Sequence, residues 1–219
     1  MKKYIYTLLT ITTSLFLVFP AKAETYEQVE SKYPLVSGYE VSFTFDNNTF
    51  YMDASQYPIL EQKTQVVKDI ALQYAKSIIR DGQSERVAAQ NAAIYVTSHF
   101  KYDDESADNR TEKLLVEQSA YNLIETKVGV CAGFAKLTKA ILESVPFKDG
   151  KVNWENGDYH LKAKLASGQL DPTTNHMWAN VEFTDGTNGI YDPTTTMYNG
   201  KSETQFEEIL GIKNVRFIV

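Results

Sequence analysis

Val128-Gly129-Val130-Cys131-Ala132-Gly133-Phe134-Ala135-Lys136-Leu137 is the stretch whose reading decides the fold. Gly129 allows the backbone a sharp turn, and from Cys131 onward Phe134, Leu137, Ile141 and Leu142 recur at helical spacing until Pro146 closes the run. A helix that begins at Cys131 aims its first free N–H groups at the thiol. The positive end of its dipole favours the thiolate, the nucleophilic form of cysteine. Ala132 and Gly133 leave the space above the sulfur open, while Phe134, Leu137 and Ile141 bury the opposite face. Cys131 is the single cysteine of the 219 residues, so no internal disulfide explains it. The competing explanation is a small buried hydrophobe, a role that free cysteine fills well.

The chain changes character on either side of this stretch. Upstream, Glu40 to Asp53 alternates as a hairpin with its turn at Asp46-Asn47-Asn48. Helices are predicted from about Leu60 to Arg80, from a cap at Ser84 through Val96, and from Glu112 to Thr126. The polar run Asp103 to Asn109 reads as a solvated surface loop, because its acids do not follow a calcium-loop spacing. From Lys151 the pattern is short strands and turns, and Ser202-Glu203-Thr204-Gln205 matches a capping box that opens a last helix through Leu210-Gly211. Helices first and strands later predict an α+β domain, with Cys131 at the junction.

The strand region supplies two further candidates. His176-Met177-Trp178-Ala179-Asn180-Val181-Glu182-Phe183 alternates, with His176, Trp178, Asn180 and Glu182 on one face and Met177, Ala179, Val181 and Phe183 on the other. The second face is apolar and is expected to meet the core, and the first is expected to wall a cleft, with Trp178 shielding a reacting centre. Gly186 and Gly189 turn the chain so that Ile190-Tyr191-Asp192 returns beside His176, with a bulge if one is needed for alignment. Cys131, His176 and Asp192 in that order form a nucleophile, a base and the acid that orients the base. Asp171-Pro172-Thr173-Thr174 repeats the motif of Asp192-Pro193-Thr194-Thr195, which makes Asp171 the competitor for the last role. A backbone N–H of the helix is one oxyanion donor, and Gln118, Asn122 and Trp178 are candidates for the second. His99 and His160 have no cysteine or acid at metal spacing, so they read as structural or surface histidines, and no metal or cofactor is expected.

The N-terminus carries Lys2 and Lys3, an apolar run from Tyr4 to Phe19, Pro20, and then Ala21-Lys22-Ala23. This is the pattern of a signal peptide cleaved after Ala23, with a run too short and too rich in threonine to span a bilayer. No cysteine near that site would take a lipid. The expectation is a secreted protein with no stable membrane anchor after cleavage. The whole chain carries a net charge of −6, and the leader takes three lysines and no acid with it. An acidic protein without a basic tract is a poor partner for nucleic acid, so neutral or basic proteins and peptides are the expected partners.

Taken with Phe100-Lys101-Tyr102, the blocks Tyr121-Asn122-Leu123, Gly129 to Ala135, His176-Met177-Trp178 and Tyr191-Asp192-Pro193-Thr194 resemble the core of the transglutaminase-like superfamily. The likeness covers about Ala93 to Met197. It implies a papain-like fold with a Cys-His-Asp triad and acyl transfer from amides through a thioester, and it places the triad on Cys131, His176 and Asp192. In that family the acid follows the histidine, which favours Asp192 over Asp171. The expected organisation is a signal peptide over 1–23, an extension with a β-hairpin over 24–57 and a transglutaminase-like domain over 58–219. The expected function is secreted acyl transfer on protein or peptide amides, by transamidation or deamidation. A cysteine peptidase or amidase, and a binding module that keeps the fold without turnover, are the alternatives.

Overall fold

The computed structural model describes residues 24–25, 28, 31–36, 43–46, 49–52, 57–109, 117–170, 172, 175–194 and 213–218. The expected signal peptide, the capping box at Ser202 and Asp171 lie outside the described residues. Strands β1 (Glu24–Thr25), β2 (Phe43–Asp46) and β3 (Thr49–Met52) form a small antiparallel sheet in the order β1-β3-β2. The β2–β3 pair is the hairpin expected from alternation, and β1 adds to its free side.

Two long helices follow, α1 (Tyr57–Ile78) and α2 (Glu85–His99). Ser84 caps α2 as the sequence predicts, its hydroxyl accepting from the Val87 N–H at 3.4 Å. A two-residue strand β4 (Lys101–Tyr102) leads into the short helix α3 (Asp104–Asn109). The run read as a surface loop is therefore helical at its centre. Asp103 begins it by accepting from the Ser106 N–H at 3.1 Å, and Ser106 is buried. Helix α4 (Ala120–Thr126) forms the end of the helix expected over Glu112 to Thr126, of which 112–116 lie outside the described residues; Ser119 is its N-cap and accepts from the Tyr121 and Asn122 N–H groups. It ends at Lys127, whose φ of 62° reverses the chain into β5 (Val128–Gly129).

Helix α5 (Cys131–Glu143) is the centre of the molecule. Ten of its residues are buried, from Ala132 to Leu142. A helix covered nearly all round needs neighbours on every side. It has α1, α2 and α4 on one side and two long strands, β9 (Lys162–Gln169) and β10 (Asn175–Glu182), on the other. Three short strands, β6 (Pro146–Lys148), β7 (Lys151–Val152) and β8 (Tyr159–His160), form a separate antiparallel sheet after α5. The main sheet is antiparallel in the order β11-β10-β9-β12, with β11 (Asn188–Tyr191) and β12 (Lys213–Ile218) at its edges. The architecture is α+β, with the cysteine-bearing helix laid on an antiparallel sheet.

One core cluster joins Leu60, Val67 and Ala71 of α1 to the alanine face of α2, to Phe134, Leu137 and Ile141 of α5 and to Val181 and Tyr191 of the sheet. Tyr33, Leu35 and Val36 belong to the same cluster, and the Ala120 N–H donates to the Leu35 carbonyl at 3.0 Å. A second cluster of Ala166, Trp178 and Ile190 covers the other face of the sheet, with Val215 packed on it. No helix among the described residues is long and apolar enough to cross a membrane.

The close approach at the start of α5 depends on a missing side chain. A Cβ at Gly133 would stand 2.6 Å from the Glu117 carbonyl oxygen and 3.3 Å from that of Ser119. Both are backbone atoms and cannot swing away. The Gly133→Ala protein is therefore expected to lose about 1–3 kcal/mol of stability, read as a lower Tm, because α5 must retreat from the 117–119 segment.

Candidate active site

The residues just before α5 place its first turn. The Val130 N–H donates to the Glu117 carbonyl at 3.2 Å, and β4 pairs in parallel with β5, setting Lys101 opposite Val128 and Tyr102 opposite Gly129. Val130 is the N-cap and offers no side-chain hydrogen bond. A serine or aspartate there would quench the first free N–H groups, whereas valine leaves them to act on whatever occupies the cleft. Cys131 sits at this open helix end and is half-buried.

His176 and Asp192 come from the β10–β11 hairpin. Its register is regular, with Ala179 opposite Tyr191 and Asn180 opposite Ile190. Continued one step, it sets Trp178 opposite Asp192, so His176 lies on the diagonal from the acid and on the same face. The imidazole bridges that diagonal without a bulge. His176 Nε2 and Asp192 Oδ2 are 2.6 Å apart. The Asp192 side chain is 0% exposed and that of His176 is 10% exposed. The other carboxylate oxygen, Oδ1, accepts from the Thr194 N–H at 2.9 Å and the Thr194 hydroxyl at 2.6 Å. Both oxygens of the acid are thus held.

The hairpin is clamped to α2 at both ends. Buried Glu85, in the first turn of α2, accepts from the Thr184 hydroxyl at 2.8 Å, the Thr184 N–H at 3.2 Å and the Tyr159 hydroxyl at 2.7 Å. Near the other end of α2 the Thr97 hydroxyl meets the Pro193 carbonyl. The histidine and the acid therefore ride on a hairpin whose turn and exit are both fixed to a long helix.

His176 also feels Cys131 across the cleft, and with Nε2 held by Asp192 it is Nδ1 that is left for the thiol. Burial works to lower the histidine pKa, but the hydrogen bond to Asp192 with its negative charge, and the interaction with Cys131, outweigh it and raise it to about 10. A protonated imidazole beside the Asp192 carboxylate is the resting state this favours. Because the folded value lies above the ordinary 6.5, the ion pair contributes fully below about 6.5 and is lost as pH rises through about 10. Turnover is expected to hold through neutral pH and fall on an alkaline limb near 10. NMR titration of the imidazole should give the same midpoint, and a midpoint near 6.5 would remove the pairing.

A further group reaches the thiol. The Tyr102 hydroxyl lies close enough to Cys131 to interact with both its backbone N–H and its side chain. Burial, then the electrostatic contact with Cys131, hold its phenol well above the ordinary tyrosine value, so it stays protonated and able to donate. Its ring packs edge-on against Phe134 at 5.8 Å between centroids. Nothing local in Phe100-Lys101-Tyr102 says that a parallel pair of two-residue strands sets Tyr102 beside a residue 29 positions away.

Of the three side chains considered for the second oxyanion donor, Gln118 lines the cleft with Cys131. Asn122 is buried and turned toward the Thr126 hydroxyl at 3.5 Å. Trp178 is not the cleft wall expected from alternation: it is 0% exposed within the second core cluster, tilted against the His176 ring at 6.1 Å. His176 and Trp178 do share a face, yet only the strand end that bears His176 opens onto the cleft.

The cleft has a volume of about 940 Å³, with Cys131, His176, Tyr102 and Gln118 among its lining residues. A half-buried thiol on an open helix end, a histidine paired with a buried acid, and a buried phenol lie together on an α+β frame. Residues 68–153 match the family model of a transglutaminase-like domain, a span that includes Tyr102 and Cys131 and stops before His176 and Asp192. Over that span the chain resembles transglutaminase-like domains. Among solved structures it is similar to a crystal structure of a TGase, at 17% identity over 77% of this chain and 47% of that one, with a TM-score of 0.45. It is also similar to a Cytophaga hutchinsonii protein assigned to the cysteine proteases, at 16% identity over 76% of this chain and 55% of that one, with a TM-score of 0.41. The chain spans about half the length of each. No curated protein matches it.

Proposed function

We propose that the protein is an exported thiol-dependent acyl-transfer enzyme acting on protein or peptide amides. The observation that carries this reading is Cys131 and His176 lining one open cleft, with His176 held by buried Asp192 at 2.6 Å. The Cys131 thiolate attacks the amide carbon and a C–S bond forms. His176 gives its proton to the departing nitrogen as the C–N bond breaks, which leaves a thioester and ammonia or an amine. Water or a second amine then attacks the thioester, His176 takes the proton of that nucleophile, and the C–S bond breaks to restore the thiolate. Asp192 holds the imidazole in the tautomer and orientation that both steps need.

The Cys131 N–H and the Tyr102 hydroxyl converge where the carbonyl oxygen gains charge, and Gln118 stands in the same cleft. In the unliganded site the two groups interact with each other. Substrate oxygen replaces that contact, so both donors are in place before charge develops. Export follows from the leader pattern at Lys2 to Ala23.

The test is incubation of the full-length protein, and of its Cys131→Ala variant, with casein and a fluorescent primary amine. Cys131-dependent label incorporation supports transamidation, and a gain of one mass unit without label indicates deamidation. Shortened fragments mean a peptidase. No product from a broad panel of proteins would move the reading to a binding module.

A further inference from the structure

The reaction uses one end of the cleft, and edge strand β12 builds the other. The β9–β12 ladder is irregular: Lys213 pairs with Gln169, Arg216 pairs with Ser167, and the register shifts between them. Within that step Asn214 has a φ of 55°, a left-handed conformation that asparagine tolerates better than most residues. A bulge of this kind re-aims side chains, often beside a functional site. Val215 is anchored on the cluster of Ala166, Trp178 and Ile190, and its neighbours Asn214 and Arg216 line the cleft that holds Cys131 and His176. The Asn214 side-chain amide donates to the Gln169 side-chain oxygen at 2.6 Å, which fixes the floor beside Arg216.

Arg216 itself is exposed and has no ion-pair partner among the described residues. Within the fold, Arg86 pairs with Asp185 at 2.9 Å and Lys139 with Glu143 at 2.5 Å. A guanidinium presents a planar fork of donors that matches a carboxylate. The helical wall of the same cleft carries Asp104, so the cleft is cationic on its sheet side and anionic on its helical side. In a chain of net charge −6 this local cation works against the overall field, so it acts by contact at the cleft and not by long-range steering.

We propose that Arg216 reads a carboxylate on the acyl donor, so that the preferred substrates are amides bearing a carboxylate close to the reacting group. This rests on the acyl-transfer reading for the word donor, but the binding it asserts can be measured without turnover. The carboxylate can come from a free peptide C-terminus or from an acidic side chain, and the test separates the two.

Three fluorescent glutamine peptides of one length are titrated against the full-length Cys131→Ala protein. One has a free C-terminus, one a C-terminal amide, and one a C-terminal amide with glutamate beside the glutamine. At least one carboxylate-bearing peptide should bind about threefold to tenfold more tightly than the uncharged one, the span expected for a partly solvated charge-assisted contact. The tighter of the two identifies the source. In the protein that also carries Arg216→Gln the ratio should fall to about one, and Arg216→Lys should retain part of it. Equal binding of all three peptides, no binding of any, or a ratio unchanged by Arg216→Gln would each overturn the proposal. Turnover of the same peptides by the protein with Cys131 intact is read separately. A carboxylate preference without turnover keeps the anion subsite and removes acyl transfer, and turnover without a preference does the reverse.

Discussion

Replacing Asp192 by asparagine is expected to lower turnover by about 10³- to 10⁴-fold while the fold persists, the scale seen when the orienting acid of a triad is neutralised. Asp192 is fully buried, and Oδ2 faces His176 Nε2 at 2.6 Å. An asparagine keeps the shape, and its oxygen can still accept from the Thr194 N–H and hydroxyl that now hold Oδ1. That arrangement turns the amide NH₂ toward His176, where a donor meets the N–H that the carboxylate had accepted. The imidazole must then change tautomer or swing away, and the nitrogen facing Cys131 is left in the wrong state. The charge that helps keep His176 protonated is lost as well, so any residual alkaline limb should move to lower pH. Circular dichroism and Tm establish that the variant is folded, and kcat then carries the result. Asp171→Asn is expected to do much less. A larger loss from Asp171 than from Asp192 would mean that the repeated Asp-Pro-Thr-Thr motif supplies its acid from the other copy.

The second large effect is expected at Tyr102. Tyr102→Phe keeps the ring that packs against Phe134 and removes only the hydroxyl that reaches the Cys131 N–H and side chain. If the phenol donates to the developing oxyanion, kcat should drop by about 10²- to 10³-fold with little change in KM, the cost of deleting one oxyanion donor. The alkaline limb set by His176 should stay near 10, because neither Asp192 nor the thiolate has been removed. A variant within a few-fold of the parent protein would assign the second donor elsewhere, with Gln118 the remaining cleft-lining amide considered for it. A loss expressed mainly in KM would make Tyr102 a substrate contact.

The sequence by itself determined what depends on neighbours along the chain. The apolar spacing after Cys131 specifies a helix, and a helix that starts on its cysteine must present free N–H groups to the thiol wherever it is placed. Alternation around Gly186 specifies a hairpin, and a hairpin must return Ile190-Tyr191-Asp192 beside the strand of His176. Ser84 as a cap was legible for the same reason. The tertiary structure decided what depends on pairing and cover. Period-two alternation assigns Trp178 to the face of His176 but does not say what lies over each point of that face. Ala166, Ile190 and Val215 bury the tryptophan, while the strand end at His176 stays open. The pairing of β4 with β5 brings Tyr102 to Cys131, and the bulge in β12 turns Arg216 into the cleft. A parallel pair of two-residue strands and a one-residue register shift leave no period to read, since their stabilisation comes from contacts across the fold and not from any preference of the residues that form them.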